Sequence, residues 1–115
     1  FLVNTPDSNL VPVDFRQPAD CALEDSTAAA IAACGLLEIA KCVEGREQNI
    51  YHDAAVSLLY TLDTTRCDWD VNRDSIVQKC TAAFHDEKHE FPIIYGDYYF
   101  IEAIWKLTGH EIFIW

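Results

Sequence analysis

The sequence predicts an all-α fold, on the spacing of its apolar residues and on the residues that punctuate that spacing. Two apolar runs with helical periodicity, Ala28 to Ala40 and Ile50 to Leu62, lie on either side of Gly45, and a third, Tyr98 to Leu107, lies between Gly96-Asp97 and Gly109. Apolar residues recurring every three or four positions share one face of a helix, and glycines or short carboxylates at the ends of such runs suit its termini.

Each element follows in order. Residues 1–24 carry Pro6, Pro12 and Pro18 among turn formers, which reads as a connecting loop. A helix then begins at Asp25-Ser26, where a carboxylate can cap the free amides, and Gly45 suits its stop. Apart from Gly35, Glu38 and Lys41 this helix is apolar on nearly every side, which implies burial on more than one face. The next segment, about Glu47 to Thr64, has one apolar face and one polar face. The two form an α-hairpin over 25–64, with the first helix inside and the second outside. Residues 66–95 form a long loop of mixed charge around Ile76-Val77, with room for a short strand pair. Loops of this length in compact domains are more often functional than decorative. A last helix and tail occupy 96–115, with Asp97 as the expected cap and an apolar tail from Glu111 to Trp115. Three helices alone bury little, so more chain or a second copy is expected to complete the core.

Composition narrows the function classes. Half of the 115 residues are apolar, which fits one folded domain, and the formal net charge of -11 repels polyanions, which argues against nucleic-acid binding. Any acidic ligand needs local help from Arg, Lys or His. The apolar stretch from Ala28 to Leu37 is too short to cross a bilayer, so no membrane partner is expected. Five cysteines, an odd number without a CxxC pair, favour reduced thiols and a cytoplasmic home. The chain opens on Phe1 and contains no methionine, so it is expected to be a processed or excerpted piece.

Several clusters invite chemical readings, and each has a plainer one. His85, Asp86, Glu87, His89 and Glu90 could hold a metal, with both histidines on one helix face, but the H-E-x-x-H order is absent and a solvated charged loop is preferred. His52 and Asp53 are neighbours on a helix and should point apart. Asp68, Asp70 and Asp74 lack the glycine and terminal glutamate of a calcium loop. Cys34 sits in an apolar helix without a base to activate it. No metal, cofactor or catalytic residue is assigned.

Two segments carry a specific resemblance. Glu24-Asp-Ser-Thr-Ala-Ala-Ala-Ile-Ala-Ala-Cys-Gly-Leu-Leu-Glu and Ile94-Tyr-Gly-Asp-Tyr-Tyr-Phe-Ile-Glu-Ala, in this order and separation, resemble the last helices of the unsaturated glucuronyl hydrolases, glycoside hydrolase family 88. The resemblance runs from Pro12 to Leu107 and implies the C-terminal hairpins of a longer (α/α)6 toroid. It further implies a substrate, an oligosaccharide released by a polysaccharide lyase and bearing an unsaturated uronic acid at its non-reducing end. An aspartic acid protonates the C4=C5 bond and water adds at C5, which requires a carboxyl group of tuned pKa. Those aspartates lie in hairpins that precede the matching region, so this segment alone is expected to be inactive. The loop before Tyr95 borders the next sugar in relatives, which makes Lys88 and His89 candidate substrate-binding residues; Tyr95 and Asp97, at the mouth of the last helix, join them as candidates beside the plainer readings of packing for the tyrosine and capping for the aspartate. Val13 stands before Asp14-Phe15 where relatives have an aromatic residue, a departure that weakens any stacking role for that loop. Implied partners are the oligosaccharide and the remainder of the catalytic domain or another copy of the chain. The alternative is a non-catalytic helical module that self-associates or binds a partner chain.

Overall fold

The computed structural model describes residues 1–110; the expected apolar tail, 111–115, lies outside the described residues. Three α-helices follow a short 3-10 turn at Leu2–Asn4: α1 over Ser26–Cys42, α2 over Gly45–Thr65 and α3 over Ile94–Leu107. The Asp25 carboxylate accepts from the Thr27 amide at 2.9 Å, so it caps α1 as its position in the sequence predicts. Gly45 has a different role from the one expected. Helix α1 already ends at Cys42, and Gly45, with φ of 63°, is the first residue of α2. Its left-handed backbone lets two residues, Val43 and Glu44, reverse the chain.

Helix α1 is central. It packs along α2 and along α3, which scarcely touch each other. Ala29, Ala30, Ala33, Leu36 and Leu37 meet Ala55, Leu58, Leu59 and Leu62 of α2 and Phe100 and Ala103 of α3 in one core. Cys34 Sγ reaches Tyr99 O at 3.1 Å and Glu38 reaches Lys106 at 3.1 Å, so contacts advance in the same direction along both helices and α1 and α3 run parallel. A stripe on α1 (Ile31, Gly35, Ile39, Cys42) and another on α3 (Ile94, Ile101, Trp105) stay exposed. The sequence therefore predicts more burial for α1 than its own chain provides.

Helix α3 begins at Ile94, two residues before the expected start, and its N-cap is Ile93 without a side-chain cap. Asp97 is thus not the cap; it lies inside the first turn and faces a loop. The approach segment is also more than a connection, because Val11, only 3 % exposed, joins the core. Among the described residues no strand forms. In the long loop the expected strand pair is replaced by isolated antiparallel bridges, Cys67 with Val77 and Cys80 with Phe91, and another bridge joins Pro12 to Glu24 in the approach segment.

Gly96 fits where no larger residue can. A Cβ there would lie 2.6 Å from Cys80 Sγ and 3.4 Å from Val77, whereas a Cβ on Gly35 meets nothing within 4 Å. Gly96→Ala is expected to lose about 1–3 kcal/mol by overpacking, and Gly35→Ala to gain up to about 1 kcal/mol of helix propensity. Urea unfolding of both variants checks this. Equal midpoints for Gly96→Ala and the wild type would remove the close approach of α3 to the loop.

Candidate functional site

The two ends of the molecule are unequal. At one end a two-residue turn joins α1 to α2; at the other, the approach segment and residues 66–93 gather over the N-termini of α1 and α3 and the C-terminus of α2. Long loops over a rigid helical frame are where binding groups are placed.

The long loop is two pinched loops in series. Asp68 N to Ile76 O and Gln78 N to Arg66 O, both 2.8 Å, close the first, and Phe91 N to Cys80 O, 2.9 Å, closes the second. Trp69 of the first loop lies against Phe100 of α3, with ring centroids 6.3 Å apart. Asp97 anchors this loop to α3: its carboxylate accepts from the amides of Val77 at 2.7 Å and Ile76 at 3.0 Å and from the Ser75 hydroxyl at 3.0 Å.

A second carboxylate ties everything at this end together. Glu24, 7 % exposed, receives the Arg66 guanidinium as a fork at 2.8 and 2.9 Å and Lys79 Nζ at 3.2 Å. Lys79 also pairs with Glu90 at 3.2 Å, and its hydrogen bonds to Glu24 and Glu90 raise its pKa. Thr81 Oγ1 donates to Glu24 O at 2.9 Å and accepts from Glu90 N at 3.1 Å, and the Thr81 amide donates to Asp25 at 3.0 Å. Lys79 and Glu90 are both left-handed, with φ of 56°, a conformation that side chains other than glycine adopt at a cost of order 1 kcal/mol. The network holds them there. Sequence spacing could not reveal it, since Glu24 and Arg66 lie 42 residues apart.

The candidate substrate-binding residues are distributed over this end. Lys88 is exposed at the tip of the second loop, and Tyr95, 62 % exposed, lies on the first turn of α3. His89 is half-buried, with Nε2 3.0 Å from Phe84 O, so one ring nitrogen is engaged within the loop. Asp97 is buried, and its oxygens meet the three donors of the first loop. Residues 85 and 89 are not on a helix, and among the described residues no three His, Cys, Asp or Glu side chains come together as metal donors.

Away from the loops, His52 Nδ1 and Asp53 Oδ1 meet at 3.3 Å, contrary to the expectation that they point apart, but both are exposed. Burial, followed by the Glu102 charge, pushes the Cys34 thiol up to about 12, which suits an inert core residue. The seam between α1 and α3 carries a buried ion pair, Lys106 to Glu102 at 2.7 Å.

Comparison with known proteins places this arrangement. No protein-family model matches the chain. The unsaturated glucuronyl hydrolase of Bacillus sp. (strain GL1) is 32 % identical over 114 residues, covering 93 % of this chain and 30 % of that enzyme. The chain resembles the C-terminal portion of an unsaturated glucuronyl hydrolase. Two solved structures superpose on 95 % of it with a TM-score of 0.84 at 30 % identity. One is the crystal structure of the unsaturated glucuronyl hydrolase responsible for the degradation of glycosaminoglycan from Bacillus sp. GL1; the other is a UGL variant with dGlcA-Glc-Rha-Glc. The three helices thus correspond to the closing region of a helical toroid, and the chain spans about 30 % of the length of the unsaturated glucuronyl hydrolases it matches. No helix among the described residues is long and apolar enough to cross a membrane.

Proposed function

We propose that this chain supplies the closing helices and a substrate-bordering rim to a glycoside hydrolase that removes a Δ4,5-unsaturated uronic acid from the non-reducing end of lyase-generated oligosaccharides. The observation that carries the reading is the similarity of almost the whole chain, in sequence and fold, to one contiguous part of the unsaturated glucuronyl hydrolases. Hydration of the double bond needs a carboxyl group that gives and takes a proton. In this reading that group belongs to hairpins outside the chain, and no aspartate here supplies it.

The rim acts on the sugars that follow the uronate. Lys88 offers an ammonium to a charged substituent, Tyr95 an exposed ring at the mouth of α3, and His89 its remaining ring nitrogen. Asp97 acts as a positioning residue, holding Ser75 to Val77 in place. The partner is the remainder of the toroid, which covers the apolar stripes of α1 and α3. Five free cysteines suit a cytoplasmic setting.

The uncovered stripes also favour a second reading, a non-catalytic helical module in which another copy of the chain covers them. Hydrolysis of an unsaturated glucuronyl disaccharide, followed through loss of absorbance of its conjugated double bond, separates the two. Measured with this chain alone and with the chain joined to the N-terminal part of the Bacillus enzyme, activity is expected only in the joined protein. Inactivity of both, with a dimer of the isolated chain in solution, favours the module. Turnover by the isolated chain overturns the placement of the catalytic carboxyl outside it.

A further inference from the structure

The two limbs of the second pinched loop are held unequally. The outgoing limb is fixed to the start of α1: the Ser26 amide donates to Lys79 O at 3.0 Å, the Thr81 amide to Asp25 Oδ1 at 3.0 Å, and the Thr81 hydroxyl to Glu24 O at 2.9 Å. The returning limb, which carries Lys88 and His89, attaches to the outgoing one, Phe91 N donating to Cys80 O at 2.9 Å and Glu90 N to Thr81 Oγ1 at 3.1 Å. Glu90 supplies its charged link. That carboxylate accepts from Lys79 Nζ at 3.2 Å and from the Glu24 amide at 3.4 Å.

Lys79 stands at the centre of this link. Its Nζ also reaches the Glu24 carboxylate at 3.2 Å, beside the Arg66 fork, so one ammonium bridges a buried acid and the returning limb. Both Lys79 and Glu90 have φ of 56°, a left-handed backbone that glycine adopts without the strain a Cβ imposes. Glycine would suit both turns better, but it brings no side chain to join them. Fold stability does not account for the choice. The Lys79 side chain is 46 % exposed, pairs this exposed contribute little to stability, and Glu24 keeps its fork with Arg66 in any case. Strained residues that their surroundings hold in place gather at functional sites.

We infer that Lys79 is a positioning residue, which draws Glu90 toward buried Glu24 and thereby sets where Lys88 and His89 stand on the rim. This rests on the substrate-bordering role proposed above and adds to it the residue through which the frame holds the returning limb.

Kinetics of the chain joined to the N-terminal part of the Bacillus enzyme test it with two substrates. One is dGlcA-Glc-Rha-Glc; the other is the methyl glycoside of the unsaturated glucuronic acid, which has no following sugar. Lys79→Met should raise KM for the first relative to the second by roughly fivefold, without a matching fall in kcat. Lys79→Arg, which keeps the cation, should restore the wild-type ratio, and Lys79→Gly, which relieves the backbone without supplying a cation, should match Lys79→Met. Hydrogen exchange at the Glu90 and Phe91 amides should quicken in Lys79→Met, while Ser26 and Thr81 exchange as in the wild type. A wild-type KM ratio in Lys79→Met or Lys79→Gly overturns the positioning role and leaves the proposed function standing. An equal rise in KM for both substrates overturns it too, because it marks a general loss of structure. If the wild-type joined protein hydrolyses neither substrate, the proposed function fails and this inference fails with it.

Discussion

Lys106→Met is expected to destabilise the fold by about 3–5 kcal/mol, because it leaves a buried carboxylate without its cation. Lys106 is 10 % exposed and reaches Glu102, 6 % exposed, at 2.7 Å, with the more exposed Glu38 at 3.1 Å on its other side. Burial alone would lower the lysine pKa, yet the hydrogen bonds and charges of Glu102 and Glu38 outweigh it and raise it. A raised lysine pKa stabilises below its unfolded value, ordinarily about 10.4, and that contribution is lost as the pH climbs through the folded value. The wild type should therefore weaken on the alkaline side, while the variant starts low and lacks that alkaline component. For a domain of this size the melting temperature should fall by roughly 10–20 °C at neutral pH. The double variant Lys106→Met, Glu102→Met should recover most of the loss, because apolar replacement of a buried pair is often neutral or better. Thermal unfolding by circular dichroism measures all three; a single variant within 1 kcal/mol of wild type would mean that water reaches Glu102 freely.

Asp97→Ala should have the next largest effect, about 2–4 kcal/mol, for a different reason. It leaves the Ile76 and Val77 amides and the Ser75 hydroxyl without their acceptor, and an orphaned buried donor costs about 1–3 kcal/mol. The loss should concentrate in the loop. Hydrogen exchange at Ile76 and Val77 is expected to accelerate by an order of magnitude or more beyond that in the middle of α1. Asp97→Asn keeps one acceptor oxygen and should fall between. Uniform acceleration throughout the chain would show that Asp97 supports the whole fold and does not specifically hold the loop.

Asp97 also marks the limit of sequence reading. An aspartate after a glycine at the start of an apolar run fits a helix cap, and nothing local distinguishes that from an anchor whose three partners lie 20 to 22 residues earlier. The same holds for Glu24, which precedes the cap of α1 and gives no local sign of Arg66. Gly45 was legible as a break but not in its side of the break, since a left-handed glycine can end one helix or open the next.

Periodicity, by contrast, is local, and what depends on it is written in the chain: three helices, a hairpin with an inner and an outer member, the Asp25 cap, and more apolar surface on α1 than one chain covers. Side chains three or four apart share a face whatever surrounds the helix. Which carboxylates are buried and which loops they hold emerges with the assembled fold. Those depend on contacts between residues distant in sequence, where burial turns an ordinary Glu or Asp into a group that must find a partner.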